Sequence, residues 1–139
     1  MRVLLDTNII LDVLLDREPF VTDAQALFEA IESQSVEGYV TATTLTDIFY
    51  IVRKSKGIQT AKEAVSRILT TMKICPVNRR ILQAALSSNL SDFEDAVQLV
   101  CATSLNLDAI VTRDRPHFAG STIPIFSPGE LLPRLSEEG

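Results

Sequence analysis

The sequence predicts an α/β fold, a three-layer α/β/α sandwich around a central, mainly parallel sheet. Three observations carry this. Short apolar runs at residues 3–5, 39–40, 74–77, 109–112 and 123–126 alternate with stretches of helical periodicity along the whole chain. The first run, Val3-Leu4-Leu5, is apolar at consecutive positions, as in a strand covered on both faces. No internal repeat, low-complexity tract or linker breaks the alternation.

With 139 residues, 46% of them hydrophobic, the chain is expected to form one domain over residues 1–135, followed by a frayed tail at 136–139. No apolar run approaches the ~18 residues that span a bilayer. Arg2 is followed by three apolar residues before Asp6 intervenes, which is no signal peptide. The expectation is a cytoplasmic protein with no membrane partner. Cys75 and Cys101 form no CxxC pair and His117 is the only histidine, so a zinc site of Cys and His is not expected. No Gly-x-Ser-x-Gly elbow supports a serine triad. Both cysteines sit in apolar surroundings and are expected as buried free thiols. The net charge of -5, from 13 basic and 18 acidic residues, is not that of a protein that coats nucleic acid. It leaves room for an enzyme that concentrates acids at a metal and keeps basic groups at the rim, with a shallow salt dependence.

Taken in order, residues 9–15 read as a short helix, with Ile9, Ile10, Val13 and Leu14 on one face. Residues 22–33 form a second, striped by Ala24, Leu27, Phe28 and Ile31. Gly38 breaks that pattern, and Tyr39 and Val40 begin a strand. Residues 43–56 form a third helix that ends on Arg53, Lys54 and Lys56 before Gly57, the expected cationic last turn and glycine stop. A fourth covers 60–72. Pro76 makes the strand at 74–77 an edge strand. Residues 80–86 are helical. Residues 91–105 form the most apolar helix, with a thin polar side at Glu94, Gln98 and Ser104, and a helix apolar nearly all round is buried. Strands follow at 109–112 and 123–126, and Pro128 opens a terminal helix.

Four stretches set an aspartate at a strand end or a helix start: Asp6, Asp47, Asp92 with Asp95, and Asp114. Each has a bland explanation. Asp6 or Thr7 can N-cap the first helix. Thr44-x-x-Asp47 and Ser91-x-x-Glu94 have the form of capping boxes, Asp92 can cap by itself, and Asp114 can turn the chain. In a parallel sheet, however, strand ends and the following helix starts share one edge. Asp95 lies beside an apolar stripe, and a buried carboxylate needs a partner. Clustered carboxylates stay ionised when a cation holds them. Carboxylates and waters select a hard cation, Mg²⁺ or Mn²⁺. Such a centre binds a phosphate oxygen, lowers the pKa of a water and stabilises a leaving oxyanion. No histidine or lysine base accompanies the four acids in this reading.

The segments Leu4-Leu5-Asp6-Thr7-Asn8, Thr44-Leu45-Thr46-Asp47-Ile48, Asp92-Phe93-Glu94-Asp95-Ala96 and Ile110-Val111-Thr112-Arg113-Asp114, with His117-Phe118 after the last, resemble the PIN-domain nucleases in order and spacing. The resemblance covers essentially the whole chain and is greatest to the small stand-alone kind that includes VapC-type toxins. It implies a metal-dependent ribonuclease in which Asp6, Asp47, Asp95 and Asp114 carry catalysis and bind Mg²⁺ or Mn²⁺. Thr7, Asn8, Asp92 and Thr112 would support them. An antitoxin protein and a second copy of the chain are the partners it suggests beside RNA. The family more often has Glu where this chain has Asp47, one methylene shorter. Arg113 and Arg115 flank Asp114 and are the expected phosphate contacts. A response-regulator receiver, a haloacid-dehalogenase phosphatase and a P-loop NTPase fit poorly: Asp6-Thr7-Asn8 lacks the paired acids of the first two, and the Gly-x-x-x-x-Gly-Lys of the third is absent. The competing reading is a PIN-like module that binds RNA or protein without cleaving.

Overall fold

A computed structural model describes residues 1–138. Among these are five strands, β1 (Arg2–Leu5), β2 (Glu37–Thr41), β3 (Lys73–Cys75), β4 (Ala109–Val111) and β5 (Ile125–Phe126). Seven α-helices accompany them: α1 (Thr7–Leu14), α2 (Val21–Glu32), α3 (Ala42–Lys56), α4 (Ile58–Thr71), α5 (Arg79–Leu86), α6 (Phe93–Ser104) and α7 (Pro128–Glu138). A one-turn 3-10 helix, Arg115–Phe118, has no counterpart in the sequence expectations. The expected tail at 136–139 coincides with the end of α7, and Gly139 lies outside the described residues.

The sheet is wholly parallel in the order β3-β2-β1-β4-β5. Consecutive apolar residues in β1 divide between its two faces. Val3 and Leu5 join Ile9, Leu27, Phe28, Ile48, Ile68 and Leu131 in one core, formed by α1, α2, α3, α4 and α7. Leu4 turns the other way, with Tyr39, Ile110, Ala102 and Phe118. Cys75, Ile81, Ala96 and Cys101 extend that second layer through α5 and α6, and both cysteines are buried free thiols. Burial on both faces is why the strand shows no alternation.

Gly38, expected as a break, lies inside β2. A Cβ there would come within 2.8 Å of the Ile31 side chain, so glycine lets α2 lie close on the strand. Pro76 falls just past β3, which is an edge strand. Among the described residues no helix is long and apolar enough to cross a membrane.

Strand order places the site. β2 lies on one side of β1 and β4 on the other, so connections leave in opposite directions and a crevice opens at their carboxyl ends. Leu5 pairs with Val111, and the Asp6 amide donates to the Val111 carbonyl at 2.9 Å. Asp6 and Thr112 therefore emerge side by side.

Candidate metal centre

Asp6 occupies the N-cap position of α1, yet its side chain makes no capping bond. The carboxylate faces away into the crevice and is 5% exposed. Gln98 Nε2 donates to Oδ1 at 3.2 Å, and the Thr112 hydroxyl donates to Oδ2 at 2.9 Å. Thr112 Oγ1 also accepts the Asp114 backbone N–H at 3.0 Å. Of the two readings of Asp6, the geometry removes the cap: the carboxylate makes no bond to the first turn of α1.

The other expected caps resolve differently. Asp92 is a true N-cap, accepting the Asp95 amide at 2.9 Å. The Ser91-x-x-Glu94 box is thus not the one used. Helix α3 is capped by Thr41, which accepts the Thr44 amide at 3.1 Å, so Asp47 lies beyond the capping turn and its carboxylate is available. The reason is register: α3 begins at Ala42, ahead of the expected 43.

Asp6, Thr7, Asn8, Asp47, Asp92, Glu94, Asp95, Gln98 and His117 line one cavity of about 270 Å³, closed by Leu11 and Ile51. Elements from three parts of the chain thus bring Asp6, Asp47 and Asp95 together. No lysine or arginine is among the lining residues. Asp114 does not line the cavity, although its charge acts on Asp95. Thr7 donates to Glu94 Oε1 at 3.3 Å, and Asn8 Oδ1 accepts from Arg17 at 3.3 Å.

Burial pushes the Asp95 carboxyl up to about 6, helped by the charges of Asp92, Asp6 and Asp114 and opposed by His117. Burial likewise pushes Glu94 up to about 7, aided by contact with the Asp47 carboxyl. Concentrated negative charge in a partly dry crevice causes both shifts.

Three groups at this site lie outside the sequence-derived set. His117 comes within 3.6 Å of Asp95, Nδ1 to Oδ2, so a histidine does stand beside the acids. Its signal is that the only histidine follows the Asp114 motif. Gln98, expected only as part of a thin polar side, is 1% exposed and holds Asp6. Glu94, expected as half of a capping box, lines the cavity instead. The polar stripe at Glu94 and Gln98, four apart on a buried helix, is the available signal.

Arg113 and Arg115 are placed elsewhere. Arg113 makes a two-pronged bond to Asp12, Nε to Oδ2 at 2.9 Å and Nη2 to Oδ1 at 3.2 Å, and stacks 4.0 Å from the Phe20 ring centroid. Asp12 is fully buried and also has Arg17 at 3.7 Å. Arg115 pairs with Glu130 at an exposed position. Both arginines border a neighbouring cavity of about 460 Å³, which Thr112 also lines.

The sequence matches the PIN-domain family over residues 2–116. The chain belongs to the PIN-domain family. No curated protein matches it. Solved structures with this PIN fold include a toxin–antitoxin complex from Klebsiella pneumoniae, 22% identical, with a TM-score of 0.69 over 91% of this chain and 97% of that one. A sarcin–ricin loop cleaving VapC toxin from Mycobacterium tuberculosis is 12% identical, with a TM-score of 0.69 over 86% and 96%. A DNA-bound VapBC from Salmonella typhimurium is 16% identical, with a TM-score of 0.68 over 92% and 98%.

The PIN domain's acids also suit a hard cation. Their donors are oxygens, Asp95 holds its proton unusually tightly, and Gln98 Oε1 is buried without a partner. Among the described residues no three His, Cys, Asp or Glu side chains form a ready-made cage.

Proposed function

We propose that this PIN domain is a divalent-metal-dependent ribonuclease and the toxin of a toxin–antitoxin pair. The observation that carries the nuclease reading is the Asp6 carboxylate. It is turned from its helix into a cavity shared with Asp47 and Asp95 and held there by Gln98 and Thr112. Asp6 and Asp95 are the principal metal ligands, with Asp47 and Asp114 completing the set directly or through water. Mg²⁺ or Mn²⁺ at this place would bind a phosphodiester oxygen and lower the pKa of the attacking water.

The chain's own groups do the rest. Thr112 and Gln98 orient Asp6. Thr7, Asn8 and Asp92 fix the first turns of α1 and α6. The lining acids repel a phosphate until the cation offsets them, which makes substrate binding conditional on metal. Arg115, exposed at the rim, contacts the RNA backbone by exchanging Glu130 for phosphate. Arg113 supports that rim from its pair with Asp12.

The toxin reading is supported by likeness to toxins in complexes with their antitoxins, and a cytoplasmic location goes with that reading. Tyr50, Leu69, Leu86 and Phe93 are exposed apolar side chains, giving an antitoxin or a second copy surface to bury. The alternative is a PIN module that binds RNA or protein without cutting.

The deciding experiment incubates the chain with single-stranded and structured RNA in Mg²⁺ or Mn²⁺ and in excess chelator. The nuclease reading expects metal-dependent cleavage and a metal-dependent rise in melting temperature, as for any ligand that binds only the folded state. RNA binding with no cleavage in either metal would establish the module. Full cleavage after verified metal removal would sink the metal reading.

A further inference from the structure

The four-aspartate reading leaves one carboxylate of the cavity without a role, that of Glu94. Its surroundings are organised around it. Thr41 Oγ1 donates to Thr44 Oγ1 at 3.0 Å, Thr44 and Thr7 hydroxyls meet at 2.9 Å, and Thr7 donates to Glu94 Oε1 at 3.3 Å. A hydroxyl has one proton to give. Thr41 gives its proton to Thr44, so Thr44 must give to Thr7, whose own proton goes to Glu94. Thr41 in turn accepts from the Thr44 amide at 3.1 Å and the Thr43 hydroxyl at 2.9 Å. The direction of the relay is fixed throughout, and it ends on Glu94. Thr41 and Thr44 are fully buried and Thr7 is 8% exposed, so water offers these hydroxyls little alternative. The relay ties the cap of α3 and the first turn of α1 to the first turn of α6.

Two more observations point the same way. The Glu94 carboxyl touches that of Asp47. Gln98, one turn along the same helix and lining the same cavity, carries a buried amide oxygen with no partner. A buried acceptor left unsatisfied is unfavourable and marks a place for a missing water or ion.

We propose that Glu94 is a metal-site residue which, together with Asp47, supplies the α3-side oxygens of the divalent cation, its carboxylate held in place by the threonine relay. Asp47 alone is a short acid on a half-exposed helix face. Glu94 brings a longer one to the same spot from the opposite helix. The proposal rests on the metal-dependent reading above.

The test uses the full chain without RNA and Mn²⁺ alone as the probe, with affinity read by isothermal titration and checked by the Mn²⁺-induced rise in melting temperature. Glu94→Gln keeps the side-chain length and an acceptor for Thr7 and should fold. It is expected to weaken Mn²⁺ binding about tenfold or more, the scale of loss seen when groups supporting a metal are removed. Asp47→Glu added to Glu94→Gln should recover much of the affinity, because one methylene restores reach. Thr7→Val cuts the relay, leaves every acid in place and should weaken Mn²⁺ binding by a smaller factor, which a purely electrostatic role for Glu94 would not produce. Wild-type affinity in Glu94→Gln, or no recovery with Asp47→Glu, overturns the proposal and leaves the nuclease reading intact. A wild-type chain that binds no Mn²⁺ overturns both.

Discussion

Gln98 grips Asp6: its Nε2 donates to Oδ1 across 3.2 Å from a position 92 residues along the chain. With Thr112 on the other oxygen, the carboxylate accepts a buried donor at each end. A carboxamide in its place would turn its own N–H₂ toward one of those donors. Asp6→Asn should therefore abolish cleavage and also lower stability, by about 1–2 kcal/mol for the lost buried hydrogen bond. Asp95→Asn should abolish cleavage as well but stabilise the metal-free fold, since burial and three acidic neighbours oppose its charge. Urea unfolding in chelator separates the two. Cleavage at the wild-type rate by either variant would remove that aspartate from the site.

The raised carboxyls predict a pH dependence. The folded chain keeps a proton on Asp95 up to about 6 and on Glu94 up to about 7, above the ordinary values of 3.8 and 4.5. The folded state thus binds more protons than the unfolded one between these limits, and stability must fall as pH rises through them. The contribution is greatest below the ordinary range and gone above about 7. In chelator, the melting temperature of the wild type should drop more steeply from about pH 4.5 to about pH 7 than that of Asp95→Asn. Saturating Mn²⁺ at about pH 7.5 should restore the loss, and cleavage should increase through about pH 6–7. Equal slopes for the two proteins would contradict the assigned cause.

Arg113 and Arg115, adjacent in sequence but for Asp114, should behave unlike each other. Removing the Arg113 guanidinium leaves a fully buried Asp12 with, among the described residues, Arg17 at 3.7 Å as its remaining cation. Breaking a buried pair from one side costs about 3 kcal/mol or more. Arg113→Ala should lose stability on that scale in urea unfolding. Arg115→Ala, at an exposed pair, should change it by less than about 1 kcal/mol. A mild effect at Arg113 would mean that Asp12 finds another partner.

Arg115 is the better probe of RNA contact, because its loss leaves the fold intact. Binding is measured in an Asp95→Asn background so that cleavage does not intrude. Arg115→Ala should weaken RNA binding across sequences and flatten its salt dependence by about 0.7 in slope for one phosphate on a single strand. Unchanged affinity and slope would direct attention to Arg53 and Lys54 at the end of α3. Lys56 there is less free, since its Nζ donates to the Leu14 carbonyl at 3.0 Å.

The fold is legible because its signals are local. Apolar runs mark the five strands, helical stripes mark seven helices, and the differences fall at the ends: α4 starts at Ile58 and β4 stops at Val111. Gly38 reads as a break because its cause is tertiary, the Ile31 side chain lying over a strand position where a Cβ would collide. Of the four acids expected to converge, Asp6, Asp47 and Asp95 line one cavity and Asp114 does not, and the groups that support them were less legible. Thr41 rather than Thr44 caps α3, because a one-residue shift in helix start changes which hydroxyl meets the free amides.

The sequence by itself determined the alternation of strands and helices, their burial on both faces, and the recurrence of aspartates at strand ends and helix starts. Chain-neighbour chemistry dictates these. Whether the Asp6 carboxylate caps a helix or turns into the crevice was decided by tertiary structure alone. The two options use the same residue at the same position, and only Gln98 and Thr112, 92 and 106 residues away, take up the carboxylate and turn it into the crevice. Distance along the chain likewise concealed the pairing of Asp12 with Arg113 and the approach of His117 to Asp95. Hydrogen bonds and ion pairs across a parallel sheet depend on strand order, and strand order is set by how the whole core packs.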